Sequence, residues 1–176
     1  MRISKYKIVS IILFLIYIGL FIGFVSMALE DSAKSTDTSS VVAEVVVEVV
    51  EAVTPSDYVV NEEKVHLFTR KLIGHFGYNM VMGAILMLAI YFLFKKDEEE
   101  DFKIKYLFNF AIISFITSIV IAVLSELLQL IPSGRSCSFT DMAIDYGGAV
   151  LGIIVSLVIL LIIWKVKNNK KIDKEL

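Results

Sequence analysis

Long runs of apolar residues, separated by short polar stretches, dominate the pattern of this chain. Four such runs cover residues 8–29, 72–94, 106–131 and 142–164, and none contains an internal proline. A helix needs roughly 20 apolar residues to cross a bilayer, and backbone groups in lipid must be hydrogen-bonded within their own segment. The pattern therefore predicts an all-α membrane protein with four transmembrane helices.

The basic residues that flank these runs predict the orientation of the chain. They cluster before the first run, between the second and third, and after the fourth: Arg2, Lys5, Lys7, Lys95, Lys96, Lys103, Lys105, Lys165, Lys167, Lys170, Lys171 and Lys174. The connection between the third and fourth runs carries only Arg135. Because lysine and arginine are retained on the cytoplasmic side, we expect a multi-pass protein of the cell membrane with both termini in the cytoplasm.

This topology divides the chain into four parts. We expect an N-terminal anchor at 1–29, an extracytoplasmic loop at 30–70, a core of three helices at 71–164 (72–94, 106–131 and 142–164) and a basic cytoplasmic tail at 165–176. The triplet at 26–28 resembles a signal-peptidase site, but the first run is longer than the roughly 7–15 residues of a signal core. This length favours an uncleaved anchor.

The extracytoplasmic loop carries a weaker pattern of its own. Glu44, Glu48 and Glu51 are spaced i, i+4, i+7 in the valine-rich segment 41–53, so they share one face of a helix. The spacing predicts a short amphipathic helix that lies on the outer leaflet with its valines in the membrane. A partly ordered linker is the alternative, and we expect the polar stretch 30–40 to be flexible.

Polar and small side chains form strips on the three core helices. These strips are Lys71, His75 and Asn79 on the first, Glu126 and Gln129 at the end of the second, and Asp141, Asp145, Gly148 and Gly152 on the third. In the predicted topology the ionisable members all lie near the outer ends of their helices. Unpaired charges at that depth would cost several kcal/mol each, so we expect these side chains to pair with one another.

The convergence of these strips predicts one polar site. Its expected ligand-binding residues are Lys71, His75, Glu126, Gln129, Arg135, Asp141 and Asp145, while Gly148 and Gly152 allow close helix packing. His75, Glu126, Arg135 and Asp141 are also candidate catalytic residues, although whether the site is catalytic stays open. The alternative is that these residues only lock the helix ends together.

Composition limits the remaining classes of function. The chain is 57% hydrophobic with a net charge of -2, and it has no clustered basic face, so we expect no nucleic-acid partner. A single cysteine, Cys137, cannot form an intramolecular disulfide or a cysteine-rich metal site. Imidazole and carboxylates can bind divalent ions, but no ligand spacing indicates a metal site, and we predict neither a metal nor a cofactor.

Two stretches of the chain resemble the VanZ-like family of membrane proteins. RKLIGHFGYNMVMG is similar to the family's K-x-x-H-F pattern, and SELLQLIPSGRSCSFTDMAIDYGGAVLG is similar to its E-x-x-Q, P-x-x-R and D-x-x-x-N-x-x-G patterns. The likeness covers about residues 64–160. It has two departures, because Lys71 lies four residues before His75 rather than three, and Asp145 stands where the pattern has asparagine.

The resemblance implies a bacterial cell-envelope protein, since the family's founding member is linked to low-level resistance to teicoplanin, a lipid-bearing glycopeptide antibiotic. One hypothesis is therefore a protein that affects sensitivity to such drugs through an outer-leaflet polar site, with a membrane lipid or lipid-linked wall precursor as partner. A second is an intramembrane enzyme that acts on a lipid phosphate or lipid-linked precursor. A third is a structural or interaction subunit of a membrane complex.

Overall fold

The described part of the protein, taken from a computed structural model, is helical throughout and contains no strand. It comprises residues 4–29, 32–53, 61–95, 104–132 and 136–175. The helices are α1 (Lys5–Ala28), α2 (Ser32–Val53), α3 (Glu62–Thr69), a π-helical segment (Arg70–Gly77), α4 (Tyr78–Phe94), α5 (Ile104–Leu128) and α6 (Phe139–Glu175).

Four helical stretches are long and apolar enough to cross a membrane, as the sequence predicts. They are Lys5–Ala28, Glu63–Phe94, Ile104–Leu128 and Phe139–Val166. The second begins before the predicted residue 72, because α3, the π-helical segment and α4 follow one another without a break. The last helix continues to Glu175, so much of the predicted basic tail is helical.

Helix α4 lies at the centre of the bundle and packs against α1, α5 and α6. The buried core lies around α4 and includes Met87, Leu107 and Ile153, each at most 1% exposed. The outward faces of the other long helices are apolar, with Leu15, Ile116 and Ile162 each more than half exposed. Exposed aliphatic side chains on spanning helices are the expected surface toward lipid.

Helix α1 is attached to α4 by polar contacts as well as by apolar packing. The Ser10 hydroxyl donates to the Ala89 carbonyl at 2.9 Å, and the Tyr78 hydroxyl donates to the Leu20 carbonyl at 2.6 Å. Hydroxyl-to-carbonyl bonds of this kind satisfy polar groups that lipid cannot hydrate. The predicted anchor therefore packs as an integral part of the bundle.

The segment between the first two spanning helices is helical over the valine-rich part, but α2 begins at Ser32 rather than near residue 41. The prediction of a flexible stretch from residue 32 onward is therefore wrong, and residues 30 and 31 lie outside the described residues. Ala43 is fully buried, and α2 packs against α3. Val45, Val49 and Val53 remain 57–79% exposed on one face, which is the face predicted to enter the outer leaflet.

Candidate polar site at one end of the helix bundle

Two residues of the π-helical segment pair with two residues of α6. Lys71 Nζ lies 3.2 Å from Asp141 Oδ1, and His75 Nδ1 lies 2.9 Å from Asp145 Oδ1. Lys71 and His75 are four residues apart on one helix, and Asp141 and Asp145 are four apart on the other. The two pairs therefore lie one above the other along the helices. The expected pairing of Lys71 with an acidic residue and the meeting of the two strips are both present.

The backbone between Arg70 and Gly77 is a π-helix, which the sequence analysis does not anticipate. The Tyr78 N–H donates to the Ile73 carbonyl, five residues earlier, as π-helical bonding requires. A side chain at Gly77 would crowd the Leu72 carbonyl at 3.3 Å. The glycines at 74 and 77 are the one signal in the sequence, since they lower the steric barrier to this unusual winding.

Asp145 is the most enclosed residue of the site. Its side chain is fully buried, and Oδ1 accepts hydrogen bonds from His75 and from Asn79 Nδ2, the latter at 2.9 Å. Asn79 Nδ2 also donates to the His75 backbone carbonyl at 2.9 Å, which fixes the orientation of the Asn79 side chain toward Asp145. Asp145 is one of the two departures from the pattern that the sequence resembles, and the structure places its carboxylate at the centre of the cluster.

The second oxygen of this carboxylate, Asp145 Oδ2, is buried and accepts no hydrogen bond from any residue that the structure describes. The Ser125 hydroxyl lies within hydrogen-bonding reach of this carboxylate and 2.9 Å from the Ala122 carbonyl, so its one proton serves one acceptor or the other. When that proton goes to the Ala122 carbonyl, Asp145 Oδ2 keeps an unused acceptor position for a ligand.

Glu126 connects the end of α5 to the start of α6. This fully buried carboxylate accepts a 2.5 Å hydrogen bond from Gln129 Nε2 at Oε1 and a 2.8 Å bond from the Ser138 backbone N–H at Oε2. The second bond fixes the chain just before α6 begins. Gln129 follows directly after α5, which ends at Leu128, so its bond to Glu126 ties this turn to the end of the helix.

The acidic residues of α5 and α6 meet the histidine of the π-helical segment. Ligand atoms of His75, Glu126 and Asp145 all lie within 4.8 Å of one another, and the two carboxylates are fully buried. Lys71 is 31% exposed, so it extends from this enclosed group toward the surface. The cluster can hold a cation, and its imidazole–carboxylate pair has the arrangement of a group that accepts or donates a proton.

Two predicted helix-packing glycines permit the contact that builds this site. A methyl group at Gly148 would overlap the Phe76 carbonyl, and one at Gly152 would overlap the Met80 carbonyl. The backbones of α6 and the chain around residues 76–80 therefore touch directly. This approach is what brings Asp145 within hydrogen-bond distance of His75.

Six of the seven predicted ligand-binding residues come together in the structure. Lys71, His75, Glu126, Gln129, Asp141 and Asp145 gather at one end of the bundle, while Arg135 lies outside the described residues. Asn79 lies on the predicted polar strip but had no predicted role, and the backbone N–H of Ser138 was not predicted as a member of the site. Helical periodicity identifies Asn79, but no side-chain pattern identifies a backbone donor.

Comparison with known proteins agrees with the motifs. A sequence model of the VanZ/LLP1 family matches residues 13–162, which includes nearly all of the four spanning helices. No curated protein and no solved structure matches the chain significantly. Because the family match covers most of the chain, this protein is a member of the VanZ/LLP1 family of membrane proteins.

Proposed function

We propose that this protein lowers the sensitivity of a bacterial cell to lipoglycopeptide antibiotics by binding an anionic lipid or lipid-linked wall precursor at the outer leaflet. The observation that carries this proposal is the gathering of buried and half-buried polar groups at one end of three helices. A helix bundle that needed only packing would not require fully buried carboxylates there, because each one is costly to place in a membrane.

The arrangement of charge suits recognition of a headgroup at the membrane surface. Lys71 is partly exposed and held by Asp141 at 3.2 Å, so its ammonium is positioned and still accessible. Arg135 belongs to the connection between α5 and α6, and the Glu126–Ser138 bond fixes one end of that connection. The guanidinium of Arg135 and the ammonium of Lys71 would bind phosphate oxygens through charge-assisted hydrogen bonds.

The site must face the exterior for this function. The distribution of lysine and arginine supports that orientation, with both termini in the cytoplasm and the α5–α6 connection outside. In that orientation the valine face of α2 is on the outer side of the membrane, where it could enter the outer leaflet.

The test is drug sensitivity measured together with the amount of protein in the membrane. A teicoplanin-sensitive bacterial host expressing the protein should tolerate more teicoplanin than the host alone, with a smaller change for a glycopeptide that lacks a lipid chain. His75→Gln and Lys71→Met should remove the difference at unchanged protein level. His66→Gln is the matched control, since His66 and His75 are the chain's two histidines and His66 lies on α3, outside the cluster.

Two results would count against the proposal. Equal sensitivity with and without the protein would exclude a direct role in resistance for this member. If the drug tolerance of every variant fell only in proportion to the amount of protein in the membrane, the cluster would serve to stabilise the helix bundle. The protein would then be better described as a structural or interaction subunit of a membrane complex.

One observation favours a second candidate, an enzyme that acts on a lipid phosphate or lipid-linked precursor. The 2.9 Å contact between His75 and Asp145 orients the imidazole, as a carboxylate does for a general acid or base. Purified protein should then release phosphate or sugar from such lipids, with activity lost in His75→Gln and kept in His66→Gln. Asn79 cannot serve as the control, because it contacts both His75 and Asp145.

A further inference from the structure

We propose that His75, Glu126 and Asp145 form a binding site for one divalent transition-metal ion, of which Zn²⁺ fits best. The three residues come from the π-helical segment, α5 and α6, and each offers one ligand atom within 4.8 Å of the other two. No spacing along the sequence indicates this set, because the helices that carry it are distant in the chain. The inference goes beyond the proposed function and needs neither drug nor lipid.

The distances are close to those of a bound ion. Ligands of a tetrahedral ion bonded at about 2.0–2.2 Å are separated by roughly 3.3–3.6 Å. His75 Nδ1 and Asp145 Oδ1 lie 2.9 Å apart, so they would move apart by about half an ångström, and two metal bonds would replace the hydrogen bond between them. The Glu126 oxygen lies within 4.8 Å of the other two ligand atoms and would have to move toward the ion.

The charges of the cluster call for a cation. Glu126 and Asp145 are both fully buried and lie near each other, and the described lysine of the site, Lys71, pairs with Asp141 instead. Buried carboxylates are tolerated when they are paired, protonated or bound to a metal, and His75, hydrogen-bonded to Asp145, supplies at most one positive charge for the two. Asp145 Oδ2 is buried and is bonded by no described residue when the Ser125 proton goes to the Ala122 carbonyl, so it offers a further coordination point.

A second layer of hydrogen bonds holds the three ligands in place. Asn79 donates to Asp145 Oδ1, Gln129 donates to Glu126 Oε1, and the Ser138 N–H donates to Glu126 Oε2. When His75 Nδ1 binds the ion it no longer bonds to Asp145 Oδ1, so each of these oxygens keeps one hydrogen bond and one lone pair for the metal. Ligating carboxylates in metal sites are oriented in this way, whereas a surface acidic cluster is not.

The ligand types select the class of ion. An imidazole nitrogen together with two carboxylates suits Zn²⁺ and other first-row transition ions, while Mg²⁺ and Ca²⁺ prefer oxygen ligands alone. Cys137 is half-buried in the α5–α6 connection and would be a competing soft ligand, so the experiment must separate it from the cluster.

The experiment is a Zn²⁺ titration of the full-length protein in detergent after removal of metals with a chelator. Isothermal titration calorimetry should give about one ion per chain, and the midpoint of thermal unfolding should rise with added Zn²⁺. Asp145→Asn and Glu126→Gln, which preserve side-chain shape, should weaken binding at least about 100-fold. Zinc X-ray absorption should show nitrogen and oxygen ligands without sulfur.

Two matched controls make the result specific. Glu63→Gln changes an exposed acidic residue on α3, outside the cluster, and Cys137→Ser removes the competing thiol; both should bind Zn²⁺ as the unaltered protein does. Absence of binding by the unaltered protein would overturn the inference, as would binding that persists in Asp145→Asn and Glu126→Gln. A sulfur ligand, or an equal loss in Glu63→Gln, would also overturn it. This experiment does not measure drug sensitivity, so a negative result here leaves the proposed function untouched, and the reverse is also true.

Discussion

Replacement of Glu126 by alanine should destabilise the protein and loosen the connection between α5 and α6. The change removes the acceptor for Gln129 Nε2 and for the Ser138 N–H, which lie 2.5 Å and 2.8 Å from the two oxygens. A buried donor left without a partner costs about 1–3 kcal/mol. Loss of a buried charge offsets part of this cost, so we expect the free energy of unfolding to fall by about 2–4 kcal/mol.

Circular dichroism during SDS titration in mixed micelles measures this change. Glu126→Gln retains one acceptor oxygen and should cost only about 1 kcal/mol. Glu63→Ala, an exposed glutamate on α3, should be neutral to within about 0.5 kcal/mol. If Glu126→Ala were as stable as Glu63→Ala, the reasoning that this carboxylate ties the two helices together would be refuted.

Two further changes test the contacts around the site. Gly152→Ala should lower the thermal unfolding midpoint in detergent, because overpacking against the Met80 carbonyl costs about 1–3 kcal/mol. Gly19→Ala is the control, since the added methyl group enters open space and should leave the midpoint unchanged. Equal midpoints for the two variants would contradict the close approach of the helices. A double-mutant cycle of Lys71→Met and Asp141→Asn should give a coupling of about 0.5–1 kcal/mol, since the pair is only partly buried. A coupling of zero would mean that the pair does not form.

Much of the fold follows from hydrophobic length alone, because lipid requires long apolar helices and leaves few alternatives. The polar strips were also predictable, since Lys71 and His75 repeat at the same spacing as Asp141 and Asp145. The π-helical winding was not, because it depends on backbone hydrogen bonds that side-chain periodicity does not report. Likewise, α2 begins at Ser32 in a segment whose composition is typical of a flexible chain.

The close grouping of His75, Glu126 and Asp145 could not be predicted from the sequence. Their depths along three helices could be estimated, but the distance between them depends on how closely the helices pack. That distance is set by Gly148 and Gly152, where the backbones touch. Small residues indicate that helices approach closely, yet they do not identify which partner they approach.

The central claim is that these polar groups meet at the exterior end of the bundle, and labelling from one side of the membrane tests it most directly. Ser136 is exposed in the connection between α5 and α6, so Ser136→Cys in a Cys137→Ser background gives one thiol beside the site. A membrane-impermeant maleimide should label it in intact cells as fully as a permeant one. Asn169→Cys in the same background, exposed near the far end of α6, should be labelled only by the permeant reagent. The reverse pattern would place the site in the cytoplasm and contradict the account.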